Sequence, residues 1–169
     1  TPGNEKYAGQ GNHNLRVGDV DGDGRDEIVY GSCTIDDNGK GLYTTGMGHG
    51  DAIHMTVFDP SSRKLQVWDC HENKRDGSTF RDAETGEVLF QVKSNIDVGR
   101  AMAADIDPTV RGVEMWSLAS GGIRNIKGEV INPSTRGVSI NMASWWDGDL
   151  TRELLNGTQI SNYNPSTGG

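Results

Sequence analysis

Asp19, Asp21 and Asp23 stand at alternate positions, Gly24 follows and Glu27 closes the stretch, so residues 19–27 read DVDGDGRDE. Carboxylates at this density repel one another unless a cation sits among them. Hard oxygen donors in this number suit Ca²⁺, which accepts about 6–8 oxygens in flexible geometry. The spacing matches an EF-hand loop as far as Gly24, its sixth residue. It departs at the twelfth, where Tyr30 replaces the bidentate glutamate. Leu15 and Val17 before the loop and Ile28-Val29-Tyr30 after it predict flanking strands, not helices. The expectation is a strand–loop–strand calcium site with Asp19, Asp21, Asp23 and Glu27 as ligands. A metal-free acidic turn is the plainer alternative.

GQGNHN (9–14) and GMGHGDAIH (46–54) are of another kind, each carrying a histidine in a Gly-rich loop just ahead of an expected strand. His13, His49 and Asp51 allow three readings: a mixed nitrogen–oxygen metal site, a hydrogen-bond network, or two exposed loop histidines. DVGRAM (97–102) occupies the corresponding place further on and puts Arg100 there. A guanidinium so placed could clamp a carboxylate in bidentate fashion; an inter-blade salt bridge with Asp97 or a neighbour is the alternative. Trp145 and Trp146 suit stacking on a sugar ring or packing in a core. His54 falls inside an expected strand and reads as a packed or hydrogen-bonded residue.

The elements that must hold these groups follow a weak repeat. NLRVGDVD (14–21), AIHMTVFD (52–59), RAMAADID (100–107) and INMASWWD (140–147) end in Asp21, Asp59, Asp107 and Asp147, spaced 38, 48 and 40 residues apart. After each comes a turn and a short apolar strand, and the first three units add a further hairpin signal, including RDAETGEVLFQV (81–92). Four strands per unit of about 40 residues is the period of a β-propeller blade. The repeat also carries partial metal sites. Asp105, Asp107 and Glu114 repeat the first loop's arrangement. The second unit keeps Asp59 but has Val57 in place of the first aspartate, so its site is expected to be lost. In the fourth, Trp145 takes that position while Asp147 and Asp149 remain.

Composition agrees with short strands and tight turns. The chain has 169 residues with 24 glycines, 33% hydrophobic residues and a formal net charge of −8. The expectation is all-β: a single propeller segment over residues 1–169, with repeats starting near 14, 52, 100 and 140. Absence of a basic patch argues against nucleic acid, and no apolar run approaches the roughly 18 residues that would span a membrane. Thr-Pro-Gly at the start reads as an internal cut or a mature end. Cys33 and Cys70 pair or stay free, and Asn156-Gly157-Thr158, formally a glycosylation sequon, reads as a turn.

The phrases GQGNHNLRVGDVDGDGRDEIVYG, GKGLYTTGMGHGDAIH, DVGRAMAADIDP and WWDGDLTRELL together resemble polysaccharide lyase family 11, the rhamnogalacturonan lyases. The resemblance runs from Gly9 to about Thr158. It implies an eight-bladed β-propeller, of which this chain has room for about three or four blades. It also implies calcium-dependent β-elimination at the rhamnose–galacturonate α-1,4 bond of the pectic polysaccharide rhamnogalacturonan I. His13, His49 and Asp51 become candidate calcium ligands near the active site. Asp19, Asp21, Asp23 and Glu27, with Asp105, Asp107 and Glu114, become structural ones. Arg100 becomes the candidate catalytic group and, with Trp145, a substrate-binding one. A secreted or periplasmic bacterial enzyme, monomeric at full length, completes the picture. A non-catalytic, integrin-like calcium-binding propeller for adhesion or ligand binding is the competing class, and the histidine-bearing loops favour the lyase.

Overall fold

The structure, a computed structural model, describes residues 2–169. Among them are fifteen strands, one 3-10 turn at Glu5–Tyr7 and no α-helix. The strands form four antiparallel sheets, each in chain order. The first contains β1 (Arg16–Gly18), β2 (Glu27–Tyr30), β3 (Cys33–Ile35) and β4 (Gly41–Thr44). The second contains β5 (Gly50–Thr56), β6 (Gln66–His71), β7 (Ser78–Asp82) and β8 (Val88–Val92). The third contains β9 (Ala101–Ala104), β10 (Glu114–Ser117), β11 (Ile123–Arg124) and β12 (Val130–Asn132). The fourth has three strands, β13 (Met142–Ser144), β14 (Glu153–Asn156) and β15 (Gln159–Ser161). Each sheet's first strand overlaps one copy of the repeat.

Tight connections make this simple meander possible. In RDAETGEV one Asp82 Oδ1 accepts from the Glu84 and Thr85 amides, at 3.0 and 2.9 Å, and from Thr85 Oγ1 at 3.0 Å. That is a side chain holding a hairpin turn closed. Gly31, between β2 and β3, has a φ of 64° and lies so near Gly11 that a Cβ would come within 2.8 Å of its carbonyl carbon. Only glycine meets both demands.

The sheets stack face to face in series. Along β6 every residue is buried, because successive side chains point to opposite faces. Val67 joins Val29 and Ile53 in the layer between the first two sheets, while Trp68 and Cys70 join Ala101, Ala103 and Met115 in the next layer. β9 repeats the device: Ala101 and Ala103 face the second sheet, Met102 and Ala104 the third layer with Trp116, Ala143 and Leu154. Alanines let the sheets approach closely; Trp68 and Trp116 fill the remaining space, and Trp68 Nε1–H donates to the Trp116 carbonyl at 3.1 Å. Four sheets in series do not close into a ring. The outer face of the first leaves Val17, Ile28 and Tyr30 exposed.

The packing decides between readings that the sequence left open at two places. Trp145 and Trp146, for which a core position was one reading, are 63% and 69% exposed. They precede β14 in a loop no sheet covers. Cys33 and Cys70 are both free and both buried, and burial pushes the Cys70 thiol up to about 12.

Candidate functional site

The acidic loops repeat one arrangement around the first residue of each sheet's second strand. Glu27 opens β2 and is fully buried; its Oε2 accepts from the Val20 amide at 2.8 Å, and its Oε1 has no partner. Asp19, Asp21 and Glu27 bring carboxylate oxygens within 4.8 Å of one another. The Asp19 carboxylate also accepts from the Gly22 and Gly24 amides at 2.7 and 3.0 Å, which curls the loop. Asp23 lies outside the group and accepts from the Arg25 amide at 2.8 Å. Burial, reinforced by the charges of Asp21, Asp23 and Asp19, raises the Glu27 carboxyl above its ordinary range.

Glu114 opens β10 in the same way. It is buried, its Oε2 accepts from Ile106 and Asp107 at 2.9 and 3.1 Å, and its Oε1 has no partner. Burial pushes it up to about 8. Asp105 and Asp107 are not drawn in as closely as their counterparts; Asp107 Oδ1 is occupied by the Thr109 amide and hydroxyl at 2.9 and 2.6 Å. Glu153 opens β14, with Oε2 accepting from Trp146 at 2.7 Å and Oε1 free, and it converges with Asp147 and Asp149 within 4.8 Å.

In the second sheet the corresponding residue is Gln66, whose neutral Oε1 accepts from Phe58 at 2.9 Å. There Val57 has replaced the acid and Gln66 the glutamate, so the loop contains no buried charge to neutralise. A buried carboxylate oxygen lacking any donor is costly. A hard cation held by Asp19, Asp21 and Glu27, or by Asp147, Asp149 and Glu153, meets that need. The sequence reading missed Glu153. Its signal was the seven-residue interval that Trp146–Glu153 shares with Val20–Glu27 and Asp107–Glu114.

The histidine loops converge. Asn12 bridges to Gly50, the His13 amide donates to the Gly50 carbonyl at 3.1 Å, and the Glu72 amide to the His49 carbonyl at 3.1 Å. Below them the fully buried pair Asp69–Arg81 (3.1 Å) also receives Asn12 Nδ2 at 2.9 Å. That rigid floor sets the side chains above it. The His13 and His49 rings lie 4.8 Å apart between centroids. His13 Nε2 is 3.5 Å from Asp51 Oδ1 and 3.6 Å from Glu72 Oε1, and His49 Nε2 is 3.6 Å from the same Glu72 oxygen. Glu72 was not anticipated; it sits at the end of β6, far from any motif.

Beside this cluster opens a cleft of about 900 Å³ running past the first strands of the sheets. Asp51, Arg100 and Trp145 all line it. Gly99 approaches Asp51 so closely that a Cβ would lie 3.3 Å from Oδ2, which places Arg100 next to the histidine cluster. Arg100 Nη1 donates to the Gly99 carbonyl at 3.1 Å; the expected alternative of an ion pair with Asp97 does not form. His54 also lines the cleft. Its Nε2–H donates to the Ala101 carbonyl at 3.1 Å, and burial, with the charges of Arg16 and Arg152, lowers it to about 4. His13, His49 and Glu72 bring one ligand atom each within 4.8 Å of one another, with Asp51 beside His13 but outside that group. Two imidazoles and a carboxylate so placed can hold a divalent cation, and the adjoining guanidinium can take an anion.

Comparison with known proteins gives the family of the chain. Residues 1–169 match the family model for the C-terminal domain of rhamnogalacturonan lyase family 11. The chain is 49% identical to rhamnogalacturonan endolyase YesW of Bacillus subtilis over 168 residues, covering 98% of this chain and 27% of the relative. It is 52% identical to rhamnogalacturonan exolyase YesX of the same organism over 163 residues, 91% of this chain and 26% of the relative. The crystal structure of YesW superposes with a TM-score of 0.93 over 99% of this chain and 29% of that one. A rhamnogalacturonan lyase from Bacillus licheniformis gives 0.93 at 49% identity. The chain therefore spans little more than a quarter of the length of the relatives it matches.

Proposed function

The chain belongs to rhamnogalacturonan lyase family 11, and from that premise we propose that it serves a calcium-dependent lyase that cleaves rhamnose–galacturonate α-1,4 bonds of rhamnogalacturonan I by β-elimination. One observation carries this reading: Asp51, which flanks the His13–His49–Glu72 cluster at 3.5 Å from His13 Nε2, also lines the cleft that contains Arg100. A cation-binding constellation and a guanidinium without a carboxylate partner thus open onto one groove. An adhesion scaffold needs neither.

β-Elimination passes the C5 proton of galacturonate to a base, forms the C4=C5 double bond and breaks the C4–O bond, so that rhamnose leaves with the oxygen, which takes up a proton. The base is Arg100 or a lysine outside this chain. Negative charge grows on the C6 carboxyl group as the proton departs. Arg100 is placed to hold that carboxyl group and to stabilise the growing charge. His13, His49 and Glu72, flanked by Asp51, are the residues that would hold a cation beside it. A bound Ca²⁺ would neutralise the carboxylate and so acidify the C5 proton. Trp145, exposed at the cleft, presents an apolar ring to a sugar face. Calcium in the loops of Asp19, Asp21 and Glu27 and of Asp147, Asp149 and Glu153 has a structural part, as do Asp105, Asp107 and Glu114 in the third sheet.

In this reading the four stacked sheets are consecutive blades of a larger propeller, which supplies the rest of the site. The relatives named endolyase and exolyase match the stretch at similar identity, so what it provides is common to both modes. Secretion to where pectin is met belongs to the same proposal. Mass spectrometry of products from the intact enzyme tests it. Elimination yields fragments lighter by one water than those of hydrolysis; hydrolytic products would contradict the proposal.

A further inference from the structure

The cleft holds three arginines, and none of them has a carboxylate partner among the described residues. Elsewhere four arginines pair, Arg25 with Asp37, Arg75 with Asp76, Arg81 with Asp69 and Arg111 with Asp59. Arg124 bonds the carbonyls of Ser120 and Gly128 and, like Arg63 and Arg136, forms no ion pair among the described residues. What sets the cleft apart is that three such arginines share it. Arg16, Arg100 and Arg152 line one cleft and bond only to backbone carbonyls, those of Leu15, Gly99 and Ala143. The Arg152 Nε is buried with no partner at all. Burial lowers both Arg16 and Arg152 from the ordinary guanidinium value. In a chain of net charge −8, acids for pairing are plentiful, so a cleft with half-buried Arg16 and Arg152 and exposed Arg100, none of them paired, is a specific arrangement.

Three different sheets contribute these groups. Arg16 lies on β1, Arg100 just before β9 and Arg152 just before β14. His54 stands among them on β5 and feels the charge of both Arg16 and Arg152. Neither of the cleft's own acids pairs with these arginines among the described residues: Asp51 faces His13 at 3.5 Å, and Asp105 lies beside the like charge of Asp107. Arg152 also lies 6.0 Å from the centre of the exposed Trp145 ring. Cation and aromatic side by side suit a polymer in which an acidic sugar alternates with an apolar deoxy sugar.

We infer that Arg16 and Arg152 are carboxylate-docking residues on either side of Arg100, which hold the galacturonates of neighbouring repeat units while Trp145 covers the intervening rhamnose. This rests on the lyase reading. It assigns to two positions outside the reaction centre the selection of a polymer with one carboxylate on every second sugar. Their contribution falls on binding of the chain, since neither guanidinium is at the bond that breaks.

The test uses the intact lyase that contains this chain. Arg16→Gln and Arg152→Gln are each expected to raise KM for rhamnogalacturonan by about tenfold, the worth of one charge-assisted contact. The dependence of KM on salt should become shallower, with kcat much less affected; Arg→Lys at each position restores part of the loss. Independently of any variant, carboxyl-reduced rhamnogalacturonan should inhibit the unmodified enzyme at least tenfold more weakly than the uncleaved native polymer binds. Equal inhibition by polygalacturonate, with a carboxylate on every sugar, would make the cluster a general anion surface and overturn the assignment. Unchanged KM and salt dependence in both variants of an active enzyme would overturn it too. An unmodified enzyme without lyase activity would refute the parent reading instead.

Discussion

His13 and His49 meet edge to face, their ring planes 78° apart, and both turn Nε2 toward the same Oε1 of Glu72 at 3.6 Å. The two residues come from separate Gly-rich loops, and the pairing of Asn12 with Gly50 brings those loops together. Removing the charge of Glu72 takes away the carboxylate that both rings face at 3.6 Å. Glu72→Gln should weaken cation binding by about tenfold or more, measured by calorimetric titration with Ca²⁺. Titration with Zn²⁺ in parallel checks the metal, because imidazole donors suit zinc and the oxygens suit calcium. Binding unchanged by the substitution would show that the cluster holds no cation.

The first acidic loop should be a calcium-dependent source of stability. Saturating Ca²⁺ at about 100 times its dissociation constant should stabilise the fold by about 2.7 kcal/mol, and chelation should remove that gain. Asp21→Ala should abolish most of the calcium-induced rise in Tm. Glu27→Gln should cut the rise too, yet leave the metal-free protein no less stable, because it removes a buried charge while Oε1 can still accept from Val20. Gln66 already occupies the equivalent place in the second sheet.

His54 gives the fold a dependence on pH. Its folded value is lowered to about 4, so the unfolded imidazole takes up a proton first as pH falls through about 6.5. Its contribution is present above about pH 6.5 and is lost toward pH 4, amounting to at most about 3 kcal/mol. Urea unfolding across that interval measures the slope. His54→Asn keeps an N–H for the Ala101 carbonyl and should remove this part of it.

Trp68 ties the second sheet to the third through its ring and its hydrogen bond to the Trp116 carbonyl. Trp68→Ala should cost about 3–5 kcal/mol, read from the urea midpoint. A loss under about 1 kcal/mol would mean that the neighbouring alanines of β9 close the gap.

Much of this was legible in the residues, for definite reasons. Strand pairs and turns are local: RDAETGEV closes on one Asp82 carboxylate, and each repeat copy opens a sheet. Carboxylate density marked Asp19, Asp21 and Glu27. The convergence of His13 with His49 followed from their matching places in the repeat. What stayed hidden depends on contacts across sheets. Glu72 bears no local signal, since it reaches the histidines only through the pairing of Gly50 with His71 in β5 and β6. Asp23 has the spacing of a ligand but stands outside the group of Asp19, Asp21 and Glu27, one of its oxygens accepting from the Arg25 amide. Arg16 and Arg152 are ordinary residues until the sheets bring them into one cleft.

The central claim is elimination assisted by Arg100 beside a bound cation, and ultraviolet absorbance of the unsaturated galacturonate formed by the intact enzyme on rhamnogalacturonan I tests it most directly. The account predicts steady growth of that absorbance, its arrest by chelation and its recovery with Ca²⁺. It predicts turnover lower by about 10²–10³ in Arg100→Gln, with little change in Tm, and no activity from the 169-residue chain alone. Cleavage without the unsaturated product, or full turnover in the Arg100 variant, would contradict it.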